Sequence, residues 1–334
     1  MKAMVLSKCS PMESAPLQLE DVPDPEPGPG EIRIKVKACG ICRTDLHVIE
    51  GELPFPGHPV IPGHQIVGEI DALGSGASRF RVGDRIGIAW LRHTCGECTF
   101  CIEERENLCE HSLFTGYHAS GGYAQYAVVP EAFAYPLPQT FDAAVTAPLL
   151  CAGIIGYRSL MRSNCKPGQR LALYGFGSSA HIVIQIASHW NCEIYVCTRN
   201  IKHRQLALAM GAAWAGSATE RMPACPDSAI IFAPAGWLIP EALSRIRKGG
   251  TLTLAGIYMT SIPEMEYERH LFYEKNIHSV TANTRRDGIE LLRLAEEIPI
   301  RPQITVFPVR EANQALLKLK RDEIQGSGVL LLDD

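Results

Sequence analysis

From residue 170 onward the chain changes texture every ten to fifteen residues, and this alternation constrains the fold more than any other feature. "RLALYGFG" (170–177) is an apolar strand pattern ending in glycines, and "SSAHIVIQIASHW" (178–190) carries apolar residues suited to a helix. "EIYVCT" (193–198) reads as strand and "KHRQLALAMGA" (202–212) as helix with a glycine stop. "SAIIFAPA" (228–235), "LIPEALSRIRKGG" (238–250), "TLTLAGI" (251–257) and "SVTAN" (279–283) continue the series. Strands and helices taking turns imply right-handed crossovers and a parallel sheet.

The first half is different. "EIRIKVKA" (31–38) alternates Ile32, Ile34, Val36 and Ala38, a half-buried strand pattern, after the Pro/Gly run "VPDPEPGPG" (22–30). Glycines and prolines punctuate the chain to about residue 140, as expected of short strands and irregular loops. The tail from 286 reads as helix, loop, helix and a closing strand "GVLLL" (328–332). That is too little for a separate domain, so it is expected to fold back onto the first half.

A formal net charge of −4, with no clustered Lys/Arg face, gives no footprint for nucleic acid. The start lacks the apolar core of a secretory signal, and no apolar run approaches a membrane span, so a cytoplasmic location is the expectation. Twelve cysteines in a reducing compartment favour metal binding over disulfides.

Four of them stand in "CGECTFCIEERENLC": Cys95, Cys98, Cys101 and Cys109. Four thiolates complete a tetrahedral zinc shell and leave no position for substrate, so this cluster reads as scaffolding. Cys42, His64 and Cys151 offer two thiolates and an imidazole, the donor set of a catalytic zinc with one open position. They are far apart in sequence, and spacing alone leaves packed bystanders as the other reading. "YGFGSSA" (174–180) is G-x-G-x-x-A after a strand and before a helix. Gly175 and Gly177 would let the backbone approach a pyrophosphate, and Ala180 would permit close helix–strand packing.

"CGICRTDLH", "PGH" before a strand, the four-cysteine loop, a later cysteine and G-x-G-x-x-A follow one another in an order that resembles the zinc-dependent medium-chain alcohol dehydrogenases. The resemblance spans nearly the whole chain. It implies an α/β protein with a β-rich, GroES-like catalytic domain (residues 1–152 and 284–334) and a Rossmann domain (153–283) with a doubly wound, parallel, six-stranded sheet. It also implies two zinc ions per chain: a catalytic one on Cys42, His64 and Cys151, and a structural one on Cys95, Cys98, Cys101 and Cys109. Asp45 matches the carboxylate that orients the histidine ligand, Thr44 the hydroxyl that meets the substrate oxygen, and His47 the end of a proton relay. Arg43 matches a cation near the cofactor pyrophosphate, with a solvated surface charge as the alternative. Leu53, Trp90 and Ile257 match substrate-pocket positions and read equally well as core. Gln65 stands where many relatives have Glu, and a neutral amide is a poorer metal ligand.

The implied function is reversible hydride transfer between a small or medium alcohol and NAD(P), in a homo-dimer or homo-tetramer. A polyol or amino-alcohol dehydrogenase of the same fold and a non-catalytic dinucleotide-binding sensor are the alternatives. The second strand of the alternating half ends without a carboxylate for the ribose hydroxyls: Thr198 and Arg199 stand there instead. With Lys202 and Arg204 close by, this favours NADP(H) over NAD(H), the other reading being a solvated basic helix start.

Overall fold

In the computed structural model, which describes residues 1–332, the chain divides into two units. One comprises 1–152, 282–293 and the tail from 302, the other 153–281 and 294–301. Asp333 and Asp334, the end of the segment expected to return to the first half, lie outside the described residues.

The first unit is built on a mixed sheet whose long member is Glu31–Ile41. Its alternation is realised: Ile32, Ile34, Val36 and Ala38 are at most 2% exposed. Gln65–Leu73 pairs with it antiparallel on one side and Ser327–Leu331 on the other. The chain's tail therefore does return to the first half's sheet. Ile304–Pro308 adds a further strand, parallel to Ser327–Leu331, where the sequence pattern predicts a loop. Its outward side chains give it an uneven burial pattern.

The second unit holds six parallel strands. Across the sheet they run Trp214–Gly216, Glu193–Cys197, Arg170–Tyr174, Ser228–Ile231, Thr251–Leu254 and Asn276–Ser279. Numbered along the chain, this is the doubly wound order 3-2-1-4-5-6. Two strands depart from the expectation. Trp214–Gly216 has only three residues and no pattern to find. The last strand is Asn276–Ser279 rather than 279–283, because its register on Thr251–Leu254 starts at Asn276. The apolar core of strands Arg170–Tyr174 and Ser228–Ile231 explains their central place: Leu171–Tyr174 and Ala229–Ile231 are fully buried.

Candidate metal centres and dinucleotide turn

Strand register creates the first centre. Gly40 pairs with Gln65, so the antiparallel ladder carries Cys42, just past one strand, towards His64, just before the other. Cys42 then caps the helix Arg43–Glu50, accepting from the Thr44 amide at 3.3 Å. Cys151 arrives from the end of a buried 3₁₀ turn, Ala147–Leu150. The Cys42 Sγ lies 3.3 Å from His64 Nε2 and 3.9 Å from Cys151 Sγ. All three donor atoms fall within 4.8 Å of one another.

Asp45 links this group to the helix. Its Oδ2 accepts the Cys42 amide at 2.8 Å, closing a capping box, while Oδ1 stands 3.2 Å from His64 Nδ1. Both residues are 1% exposed. The contact is an ion-pair approach rather than a well-aligned hydrogen bond, since Nδ1 is otherwise unpartnered. Burial opposes a charge on His64, yet Asp45 and then Cys42 outweigh it and push the imidazole up to about 10. Contact with Cys151, followed by burial, pushes the Cys42 thiol well up. The buried Asp45 carboxylate beside two sulfurs and an imidazole favours a cation at this point. Two sulfurs and one imidazole fit zinc, with room for a fourth ligand.

The second centre is local. Cys95, Cys98, Cys101 and Cys109 bring four Sγ atoms within 4.8 Å of one another. The turn at Gly96 (φ 77°) lets Cys98 fold back so that its amide donates to Cys95 Sγ at 3.3 Å. The Cys95 amide in turn donates to Cys109 Sγ at 3.4 Å. Backbone donors at Glu97 and Cys98 pull the Cys95 thiol down to about 6. Four sulfurs fit a closed zinc shell. Within the same loop, the buried Glu106 accepts the Arg285 amide at 2.9 Å and ties the loop to residue 285.

The remaining candidates of the first unit lie around the first centre. Thr44 and His47 are half-buried on its helix, and Arg43 is exposed. His47 Nδ1 pairs with Glu52, a partner the sequence did not suggest. The Trp90 ring sits edge-on to His64 with centroids 4.9 Å apart, and Phe114 stacks on it at 4.9 Å. Leu53 and Trp90 both pack, half-buried, against the core. Ile257 belongs to the other unit and is 51% exposed there. Also missed was Tyr123, fully buried next to this centre; burial and then the Asp45 charge push its phenol well up. In sequence it is only one more aromatic in a strand-like stretch.

In the second unit, Gly175 ends its strand with φ 94°, a conformation that side chains resist, and a Cβ there would meet the Ala233 amide at 3.0 Å. Gly177 is the N-cap of Ser178–His189, and a Cβ on it would meet only open space. A glycine offers no side chain to the helix's first amides, so that end suits a phosphate. Ala180 is wholly buried against the sheet. This turn lies at the switch between the first and fourth strands, where doubly wound sheets bind ligands. Thr198 is half-buried and Arg199 exposed just past the second strand. Arg204 is already engaged: it donates to the Thr198 carbonyl at 2.9 Å and to Glu220 Oε1 at 3.3 Å. Glu220, sixteen residues on and past the short strand Trp214–Gly216, could not be placed here from sequence.

Residues 28–139 match the family model described as alcohol dehydrogenase GroES-like domain. A probable alcohol dehydrogenase, AdhA, of Mycobacterium tuberculosis is 48% identical, covering 99% of this chain and 97% of its own. The fold is similar to that of a cobalt- and zinc-bound thermostable alcohol dehydrogenase from Pyrobaculum aerophilum, with a TM-score of 0.89, 25% identity and 99% of both chains covered. It is also similar to a zinc-binding dehydrogenase from Sinorhizobium meliloti bound to NADP, with a TM-score of 0.86, 26% identity, and 99% and 98% of the chains covered.

Proposed function

Since the chain belongs to the zinc-dependent medium-chain alcohol dehydrogenases, we propose roles for its individual residues in that activity. The protein is a zinc-dependent alcohol dehydrogenase that moves a hydride between an alcohol and a nicotinamide cofactor. One observation carries the residue assignment: Cys42, His64 and Cys151, separated widely in sequence, present their donor atoms to one buried point. Cys42, His64 and Cys151 hold the catalytic zinc, and Cys95, Cys98, Cys101 and Cys109 the structural one. When bound, zinc supplies Lewis acidity towards the alcohol oxygen, and the nicotinamide accepts the hydride.

The chain does the rest. Asp45 orients His64 and keeps the site's negative charge high. Thr44, on the same helix, takes the substrate hydroxyl proton, and His47, paired with Glu52, passes it outward. Trp90, backed by Phe114, and Leu53 offer an apolar wall, which favours a small or medium apolar alcohol. Gly175, Gly177 and Ala180 receive the dinucleotide. Thr198 with Arg199 and Lys202 favours NADP(H), while Arg204 offsets the charge of Glu220. NADP is bound by the Sinorhizobium meliloti relative, which supports the same choice. All twelve cysteines are free, in keeping with a cytoplasmic location. Exposed Trp237, Ile262, Tyr267 and Phe272 support assembly into a dimer or tetramer.

The test is steady-state turnover of an alcohol and carbonyl panel with both cofactors, on protein of measured zinc content. Thr44→Ala should lose most of its turnover while keeping both zinc ions. Full activity in that variant would end the relay assignment.

A further inference from the structure

We propose that Cys165 and Cys192 form a reversible modification site, a disulfide made by peroxide and undone by thiols. Their Sγ atoms stand 3.9 Å apart, and both point at one acceptor, the Lys166 carbonyl, at 3.9 and 3.6 Å. The parallel register Arg170↔Glu193 puts the two preceding loops side by side, which is what brings the thiols together. Closing an S–S bond of about 2.05 Å needs a shift of about 2 Å. Neither residue lies in a helix or strand, so the loops can supply it.

The pair differs from the two metal centres. Among the described residues no third Cys, His, Asp or Glu donor joins it, so it lacks a metal shell and its sulfurs stay available. Exposure separates their tasks: Cys192 is half-buried and reachable, whereas Cys165 is 4% exposed. Burial also pushes the Cys165 thiol up, which keeps it from reacting first. Cys192 gives its thiol proton to solvent and its sulfur attacks one oxygen of hydrogen peroxide; the O–O bond breaks, sulfenic acid forms, and the leaving hydroxide takes a proton from solvent to become water. The Cys165 sulfur then attacks the Cys192 sulfur; the S–S bond forms, the S–O bond breaks, and the hydroxyl leaves as a second water, taking the Cys165 proton. Two electrons pass from the thiols to the peroxide. The ring so closed spans residues 165–192, containing the strand Arg170–Tyr174, the glycine turn and the helix Ser178–His189. Disulfides of this kind in reducing compartments are transient and redox-sensing.

The experiment uses the zinc-loaded full chain, treated with hydrogen peroxide, alkylated and digested with trypsin without reduction. The expected product joins peptide 163–170 to peptide 171–199, two hydrogens lighter than their sum, with fragmentation placing the bond on Cys192 rather than Cys197. It should vanish with dithiothreitol and form without loss of zinc. The oxidised protein should melt several degrees higher, and Cys192→Ser should abolish both cross-link and gain while leaving turnover unchanged. Cys165 and Cys192 both remaining alkylatable after peroxide, or a cross-link that appears only as zinc is lost, overturns the proposal.

Discussion

Replacing Asp45 by Asn probes the proposed catalytic centre at its least obvious member. The carboxylate serves two partners at once: Oδ2 accepts the Cys42 amide at 2.8 Å and Oδ1 faces His64 Nδ1 at 3.2 Å. An asparagine of the same shape has one acceptor oxygen, so it can serve one partner and must offer an NH₂ to the other. If it keeps the cap, His64 loses its anion; if it serves His64, the helix Arg43–Glu50 loses a cap worth about 1 kcal/mol. Both residues are 1% exposed, so water does not screen the lost charge. Loss of an orienting carboxylate typically weakens a metal by about 10–100-fold, or about 1.4–2.8 kcal/mol. Competition against a chromophoric chelator should therefore show one zinc weakened by that factor and the four-cysteine zinc untouched. Turnover should fall with occupancy at low zinc and recover partly when zinc is added. A variant holding both ions with wild-type affinity would refute the role given to Asp45.

The other expectations address the remaining parts. Cys98→Ser should lower the melting temperature and release the structural zinc, because a closed site organises its own loop, whereas Cys42→Ser should abolish turnover with the fold retained; circular dichroism melts with metal analysis separate the two. Gly175→Ala should cost about 1–3 kcal/mol of stability through its positive φ, measured by urea unfolding. Gly177→Ala should cost no more than about 1 kcal/mol, yet weaken the cofactor strongly, because its Cβ would fill the space a phosphate needs; equal losses of stability in the two variants would contradict this. Arg199→Asp should weaken NADP(H) by one charged hydrogen bond, about 1.5–3 kcal/mol, and NAD(H) far less. A wild-type kcat/KM favouring NAD(H) would remove the basis for that preference.

What the sequence determined by itself is what depends on neighbours along the chain. The four-cysteine loop closes within fifteen residues, so its ligand spacing is already its geometry. The strand, glycine turn and helix at 170–190 likewise carry their conformation locally, Gly175 by its φ and Ala180 by its size. The alternation of strands and helices sufficed for a parallel sheet. Tertiary structure decided the rest. Cys42 and His64 meet only because Gly40 is in register with Gln65, and Cys151 joins them from a buried turn 109 residues beyond Cys42. Glu220, sixteen residues on, reaches Arg204 through a fold of the chain that leaves no periodic trace. The strands Trp214–Gly216 and Ile304–Pro308 exist because a neighbouring strand offers them hydrogen bonds, not because their residues alternate. Local chemistry is written in composition and spacing, whereas convergence of distant side chains depends on register and packing, which a single chain read in order does not display.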